Sequence, residues 1–170
     1  MTENNGPLSG LRVLEMGQLI AGPFTTAMLG YYGAEIIKIE PPEGDPIRRW
    51  RSMQGDTSLW WYSIARNKRS VVLDLRQPEA RDIAADLACQ CDILVENFRP
   101  GVMESWQLGP NDLKPRHPEL IYSRISGYGQ TGPYADKPGF ASVCEGISGF
   151  RYLNGFPGEA PVRPNLSLGD

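Results

Sequence analysis

The sequence predicts an α/β protein built on a parallel sheet. Three observations carry this reading. Short β-branched runs alternate with helix-length segments between residues 11 and 126; the runs are nearly continuous in apolar residues, as strands covered on both faces are; and Gly/Pro-rich turns separate them. Units of this kind close through right-handed crossovers.

The elements follow in order. LRVLEM (11–16) is a first strand, GQLIAGP a loop, and FTTAMLGYY (24–32) a helix for which Pro23 suits the first position. Gly33 breaks the pattern, AEIIKIE (34–40) is a second strand, and PPEGDP ends it. The long aromatic and basic stretch IRRWRSMQGDTSLWWYSIARNKRS leads into VVLDL (71–75), a third strand. After Pro78, EARDIAADLACQ puts Ile83, Ala84, Leu87 and Ala88 on one stripe, with acids early where the helix dipole favours them. CDILVENF is a strand, GVMESWQLG and NDLKPRHPE are short helical or turn segments, LIYSRIS (120–126) is a strand, and GYGQTGPYADKPG is a loop. There is no internal repeat. From Gly127 onward glycine and proline accumulate and periodicity fades outside ASVCEGISGF. A self-contained domain rarely ends on so long an irregular stretch, so the chain is expected to continue or to be completed by another polypeptide.

With 170 residues, 41% apolar and 22% charged, the chain has the composition of about one domain with a real core. A net charge of −3 without a long basic run excludes nucleic acid or an anionic membrane as a partner of the whole surface, and points to small partners. The opening MTENNGPLSG lacks a cationic start followed by an apolar core, and no apolar run approaches the ~18 residues of a membrane span. A cytoplasmic protein is expected. Cys89, Cys91 and Cys144 include one C-x-C pair but no zinc spacing, so they read as reduced thiols, and no metal is expected. His117, in KPRHPEL, reads as structural.

Three sets of residues could carry chemistry. Gly17 and Gly22 flank the first strand-to-helix turn and Glu40 closes the second strand, which places an acid where a dinucleotide's ribose would bind. The G-x-x-x-x-G spacing lacks the tight G-x-G-x-x-G turn, so a pyrophosphate is not expected there. The second set is cationic and aromatic: Arg48, Arg49, Trp50 and Arg51; Arg66, Asn67, Lys68 and Arg69; Asn97, Phe98 and Arg99. Each group lies beside a predicted strand end, so an open sheet could gather some of them along a crevice, where arginine forks fit phosphates and an aromatic ring stacks on adenine. Solvated surface is the alternative for each group. The third set is GYGQTGP together with Gly169-Asp170, a loop with exposed backbone N–H groups and a pair that lifts one carboxylate out of a turn.

Taken in order, LRVLEMGQLIAGPFTTAMLGYYGAEIIKIEPPEGDPIRRW, ARNKRSVVLDL, DILVENFRPGVMESWQLG, ISGYGQTGPYADKPGF and the closing GD resemble the N-terminal half of the class III coenzyme A transferases, the CaiB/BaiF family. The likeness covers residues 8–170. It implies a Rossmann-like parallel sheet belonging to the large domain, with residues 1–170 as its N-terminal part, the small domain and C-terminal segment lying in further sequence, and an interlocked-ring dimer of two such chains or of close homologues. It also implies an enzyme that moves CoA from an acyl-CoA donor, such as succinyl-CoA, to a carboxylic acid.

In that family the aspartate after the glycine is the nucleophile, and Asp170 matches it. A carboxylate of pKa about 4 is ionised at neutral pH and needs no general base. Attack on the thioester gives a mixed anhydride and CoA thiolate, which returns to form an aspartyl-CoA thioester; an incoming acid repeats the steps in reverse. Every intermediate is prone to hydrolysis, so water must be excluded. Residue by residue, the resemblance puts the Gln18–Ala21 loop near the thioester, Lys38 and Leu73, Asp74, Leu75 and Arg76 at the nucleotide, Asn97, Phe98 and Arg99 facing CoA, Tyr128 and Gly129 in the same wall, and Lys137 at the phosphates.

Two positions depart from the family's pattern. Ile20 stands where the formyl-CoA branch has a glutamine, leaving any amide role to Gln18, and Ala141 stands where many members carry an acid. The same fold hosts α-methylacyl-CoA racemases, which pair an aspartate with a histidine just after the SGYGQ-like loop. Here that region reads KPGFAS, and His117 comes too early. A racemase and a non-catalytic CoA-binding fragment are the alternatives to a transferase.

Overall fold

A computed structural model of the chain describes residues 6–170, so the opening MTENN, read above as lacking a leader, lies outside the described residues. The chain divides into two compact units, one ending at Ile125 and one spanning Ser126–Asp170. The division falls beside Gly127, where the composition changes.

The first unit is built on five parallel strands: β1 (Arg12–Glu15), β2 (Glu35–Glu40), β5 (Lys68–Val72), β6 (Ile93–Glu96) and β7 (Ile121–Arg124), in spatial order β5-β2-β1-β6-β7. Val13 pairs with Ile36 on one side and Ile93 on the other, so β1 is central. Adjacent residues of a strand face opposite sides of the sheet, and both sides here are covered. Leu14 and Leu94 join Met16, Ile39, Leu75, Ala84, Met103, Leu108 and Leu113 on one face, while Val13, Ala34, Ile36 and Val95 pack under Leu29 on the other. Hence the strands read as apolar runs without alternation. Helices α1 (Ala21–Tyr31) and α3 (Pro78–Ala88) connect them, followed by the short α4 (Val102–Ser105) and α5 (Pro110–Leu113). From β1 the chain steps outward to β2 and β5, then returns to β6 and β7 on the other side. The β1/β6 junction is therefore the switch point at which open α/β sheets form a ligand crevice.

Two boundaries differ from the sequence reading. The predicted strand 71–75 is instead Lys68–Val72, paired from Ile36–Lys68 to Glu40–Val72. As an edge strand, β5 accepts Lys68, Arg69 and Ser70 in the ladder, and apolar character marks only its second half. Leu73–Arg76 consequently lies beyond the strand, at its C-terminal mouth. The helix predicted at 24–32 begins at Ala21, with Pro23 in the first turn, where its missing N–H costs nothing. The aromatic stretch between β2 and β5 folds as a 3₁₀ turn (Pro46–Arg49), a hairpin of β3 (Met53–Gln54) and β4 (Thr57–Ser58), and helix α2 (Leu59–Ile64). Asp45 and Ser58 cap the two helical pieces through their side chains. Ile20, Ile47 and Ile64 form a core there with Trp50, Trp60 and Trp61 around it.

The second unit contains α6 (Ala141–Ile147) and a 3₁₀ turn (Phe150–Leu153). Gly127 and Gly139 pack backbone to backbone: a Cβ on Gly127 would stand 2.6 Å from the Gly139 Cα, so neither position admits a side chain. Among the described residues, no helix is long and apolar enough to cross a membrane.

Candidate functional site

The first unit holds a cavity of about 300 Å³ at the C-terminal ends of its strands. Every crossover loop on that edge contributes: Met16 and Gln18 after β1; Ile39, Pro41 and Glu43 at the end of β2; Leu73, Asp74, Leu75 and Arg76 after β5; Phe98 and Trp106 after β6. The walls are apolar, with Phe98 and Trp106 meeting edge to face at 5.2 Å between ring centroids. Charge is confined to one rim. Arg76 Nε donates to Asp74 Oδ1 at 2.7 Å and its Nη2 reaches Glu43 Oε1 at 3.4 Å. The Arg76 hydrogen bond holds the Asp74 carboxyl below the usual carboxylate range and raises the guanidinium. An apolar slot with a guanidinium at its lip suits a flat heteroaromatic ring that carries phosphate.

The β1–α1 loop forms one wall of this crevice. Asn97, just past β6, clasps it across the switch point: its Oδ1 accepts from Gln18 N at 2.8 Å and its Nδ2 donates to Gln18 O at 2.9 Å. Gly17 and Gly22 make room, since a Cβ at Gly17 would stand 2.6 Å from the Asn97 Oδ1 and one at Gly22 3.1 Å from it. The two glycines read above against a dinucleotide fingerprint thus serve the asparagine. Glu40, read as a possible ribose ligand, accepts from Arg48 Nε at 2.7 Å, Arg48 Nη2 at 2.8 Å and Asp45 N at 2.9 Å, and also from the Ser70 hydroxyl. Burial alone would raise this carboxyl, but the hydrogen bonds from Arg48, Ser70 and Asp45 outweigh it and hold its pKa at about 2.

Lys38 does not line the cavity. Its Nζ is buried, 2.6 Å from Glu15 Oε1 and 2.8 Å from Asp45 Oδ2, and it donates to Gly17 O at 2.9 Å. Burial pulls the Lys38 ammonium down, yet the two carboxylates leave it above its ordinary value. Its neighbour Ile39 and, just past β2, Pro41 line the cavity instead. The cationic groups do not converge on one anion site either. Lys68 is buried against Glu15 Oε2 at 2.7 Å, Arg69 pairs with Glu35 at 2.7 Å, Arg48 lies over the Trp61 ring at 3.5 Å, and Arg51 lies over Trp50 at 4.4 Å. Arg99 is exposed, and Ala21 opens α1. Ile20, at the position of the family's glutamine, is buried in the aromatic cluster, whereas Gln18 lines the cavity. His117 Nε2 lies 3.1 Å from the Cys91 carbonyl, at the N-terminal end of β6 and so at the opposite edge of the sheet from the crevice.

In the second unit, Tyr128 packs edge to face on Tyr134 at 5.7 Å, and the exposed Lys137 sits 4.1 Å over the same Tyr134 ring. Gly129 has φ +78° with open space where a side chain would be. Gly169 rests on α6: a Cβ there would meet the Ala141 carbonyl at 3.0 Å, and its N–H donates to the buried Glu145 Oε1 at 3.3 Å. Glu145 is held in turn by Arg151 at 3.4 Å and Arg163 at 3.9 Å. Asp170 follows on the surface, its N–H 3.4 Å from Ser167 O.

The cavity residues Met16, Ile39, Pro41, Glu43 and Trp106 and the buried ions Glu15 and Asp45 were not singled out from the sequence. Glu15 and Lys38 carried a usable signal: a charge inside a strand covered on both faces must find a buried partner.

A doubly wound parallel sheet with an apolar crevice at its switch point defines a Rossmann-like α/β fold. Residues 8–170 match the family model described as CoA-transferase family III, and the chain belongs to that family. It is 48% identical over 166 residues to a succinyl-CoA–D-citramalate CoA-transferase of Chloroflexus aurantiacus, covering 96% of this chain and 41% of that protein. It is 50% identical over 168 residues to the alpha subunit of a succinyl-CoA–L-malate CoA-transferase of Chloroflexus aurantiacus, covering 96% of this chain and 39% of that one. The crystal structure of a CaiB/BaiF family protein from Brucella suis superposes with a TM-score of 0.89 at 35% identity, over 96% of this chain and 44% of that one. The chain thus spans about two fifths of the length of the curated relatives it matches.

Proposed function

We propose that the protein containing this chain transfers CoA from succinyl-CoA to a small carboxylic acid through a covalent intermediate on Asp170. The observation that carries the reading is the family match across the whole of residues 8–170, ending on the Gly169-Asp170 pair. The apolar cavity at the switch point supports it as the seat of the CoA nucleotide, with Arg76 at the phosphate side. Both relatives act, by name, with succinyl-CoA, and their acceptors are malate and citramalate, so a small hydroxy-dicarboxylate is the acceptor class proposed here.

The chemistry then runs in balanced steps. A carboxylate oxygen of Asp170 attacks the succinyl thioester carbon, forms the mixed anhydride and expels CoA thiolate. The thiolate attacks the aspartyl carbonyl, forms the aspartyl-CoA thioester and expels succinate. The acceptor's carboxylate attacks that thioester and expels thiolate again; the thiolate then takes the acceptor's acyl group and restores Asp170. No proton moves in any step, so the site needs no titrating base, which fits a nucleophile that is ionised without help. The relative named as an alpha subunit supports assembly with a second, homologous chain.

The test is peptide mass spectrometry of the full-length protein after brief incubation with succinyl-CoA, with and without borohydride. A CoA adduct on the Asp170 peptide, removed by borohydride, is the expected result. Absence of any adduct, together with deuterium exchange at the α-carbon of an acyl-CoA, would replace the reading with a racemase.

A further inference from the structure

The Gly17–Ile20 loop is held more firmly than a surface turn requires. Leu19 has φ +63°, a left-handed conformation that costs a branched side chain of its kind free energy. Five side chains surround the loop. Lys38 Nζ donates to Gly17 O at 2.9 Å, Asn97 takes both backbone groups of Gln18, Asp45 Oδ1 accepts from Leu19 N at 3.1 Å, and Lys68 Nζ donates to Pro23 O at 2.6 Å. The fifth, Glu15, joins the two lysines at 2.6 and 2.7 Å from beneath. Two lysines and two carboxylates make the cluster neutral, and the charged side chains are 2% exposed or less. A buried, charge-paired ion cluster of this kind adds little net stability compared with apolar packing, but it fixes geometry, because each charge has one place to go.

We propose that this cluster is a clamp that holds the Gly17–Ile20 loop in the conformation needed for CoA transfer, and that Lys38, Asp45 and Asn97 are positioning residues of that reaction rather than ligands of the nucleotide. The role in transfer rests on the proposed function above; the clamp itself does not. The loop bears Gln18, a wall residue of the cavity, and Leu19 reaches its strained conformation only where the surroundings over-determine it. Loosening the clamp lets Leu19 relax and carries Gln18 with it. Binding of the CoA nucleotide should survive this, because most of its proposed seat is formed by residues after β2, β5 and β6. The chemical step should not.

The test compares Asp45→Ala, Asp45→Asn and Asn97→Ala in the full-length protein by amide hydrogen exchange and by kinetics with succinyl-CoA, normalised to sites titrated by the trapped CoA adduct. Asp45→Asn keeps an oxygen that can accept from Leu19 N and serves as the conservative variant. In Asp45→Ala the Leu19 amide, and in Asn97→Ala the Gln18 amide, should exchange at least about tenfold faster, with the amides of β1 and β6 unchanged. In both, kcat per site should fall about tenfold or more while KM for succinyl-CoA stays within about threefold, and Asp45→Asn should recover most of kcat. Unchanged exchange at Gln18 and Leu19 would overturn the clamp. Faster exchange with kcat within about twofold of the parent would overturn its part in the reaction. A parent protein that transfers no CoA would instead remove the underlying function, with the clamp still decided by exchange alone. Asn97→Ala leaves no buried charge unpaired, so it keeps the test open if Asp45→Ala does not fold.

Discussion

Replacing Glu40 with glutamine should make the protein's stability less sensitive to acid, and the size of the effect follows from the carboxylate's surroundings. Glu40 sits at the end of β2, buried, and accepts two hydrogen bonds from Arg48, one from Asp45 N and one from Ser70. Its pKa falls from 4.5 to about 2 on folding. A group whose folded pKa is depressed contributes stability above its unfolded value and loses it as pH falls through the folded one; this shift corresponds to about 3 kcal/mol in full. The Arg48 side chain is 38% exposed, so solvent screening trims this to about 2 kcal/mol, with more than half gone by pH 3. Urea melts of the parent and of Glu40→Gln at pH 7, 5, 4 and 3 read the difference directly. At pH 7 the variant should be less stable, and the gap should narrow steadily below about pH 4.5 as the parent's carboxylate is titrated. A gap that stays constant from pH 7 to pH 3 would show that the Arg48 and Ser70 contacts do not favour the ionised form, and the account of this corner of the sheet would fail.

Asp170→Ala should abolish both CoA transfer and the borohydride-sensitive adduct while leaving the Kd for CoA, read by calorimetry, within about threefold of the parent, since no nucleotide contact is assigned to it. Gly17→Ala places a Cβ 2.6 Å from the Asn97 Oδ1, an atom already clasped to Gln18; the overpacking should cost about 1–3 kcal/mol in a denaturant melt, and a neutral result would remove the tight loop–asparagine fit. Leu94→Ala, at a fully buried position of a central strand, should cost about 2–5 kcal/mol by the same measurement, and a cost under about 1 would mean the core closes over the lost side chain. Trp106→Ala opens the cavity wall and removes the edge-to-face contact with Phe98, so KM for acyl-CoA should rise several-fold with kcat little changed if the cavity seats the nucleotide.

The sequence by itself determined the fold class and the order of the parallel elements, because strands covered on both faces must be apolar throughout and AEIIKIE, CDILVENF and LRVLEM are short runs of that kind. It also determined the family, through motifs whose order is more specific than any of them singly, and it marked Gly127 as the place where regular packing gives way. The extent of β5 escaped it: Lys68, Arg69 and Ser70 look like loop, and only the edge of a sheet lets them pair. What the tertiary structure decided was the fate of the charges. Read along the chain, Lys38, Lys68 and Arg48 are cations beside strand ends and equally fit to bind phosphate. Folding brings Glu15, Asp45 and Glu40, 7 to 53 residues away in the chain, within about 3 Å of them, and a buried carboxylate at that distance holds a cation far more strongly than solvent can. Periodicity reports which face of an element is buried; it carries no record of which ions meet across the sheet, and that meeting decided that Pro41 and Arg76 border the cavity while Lys38 lies sealed beneath the loop.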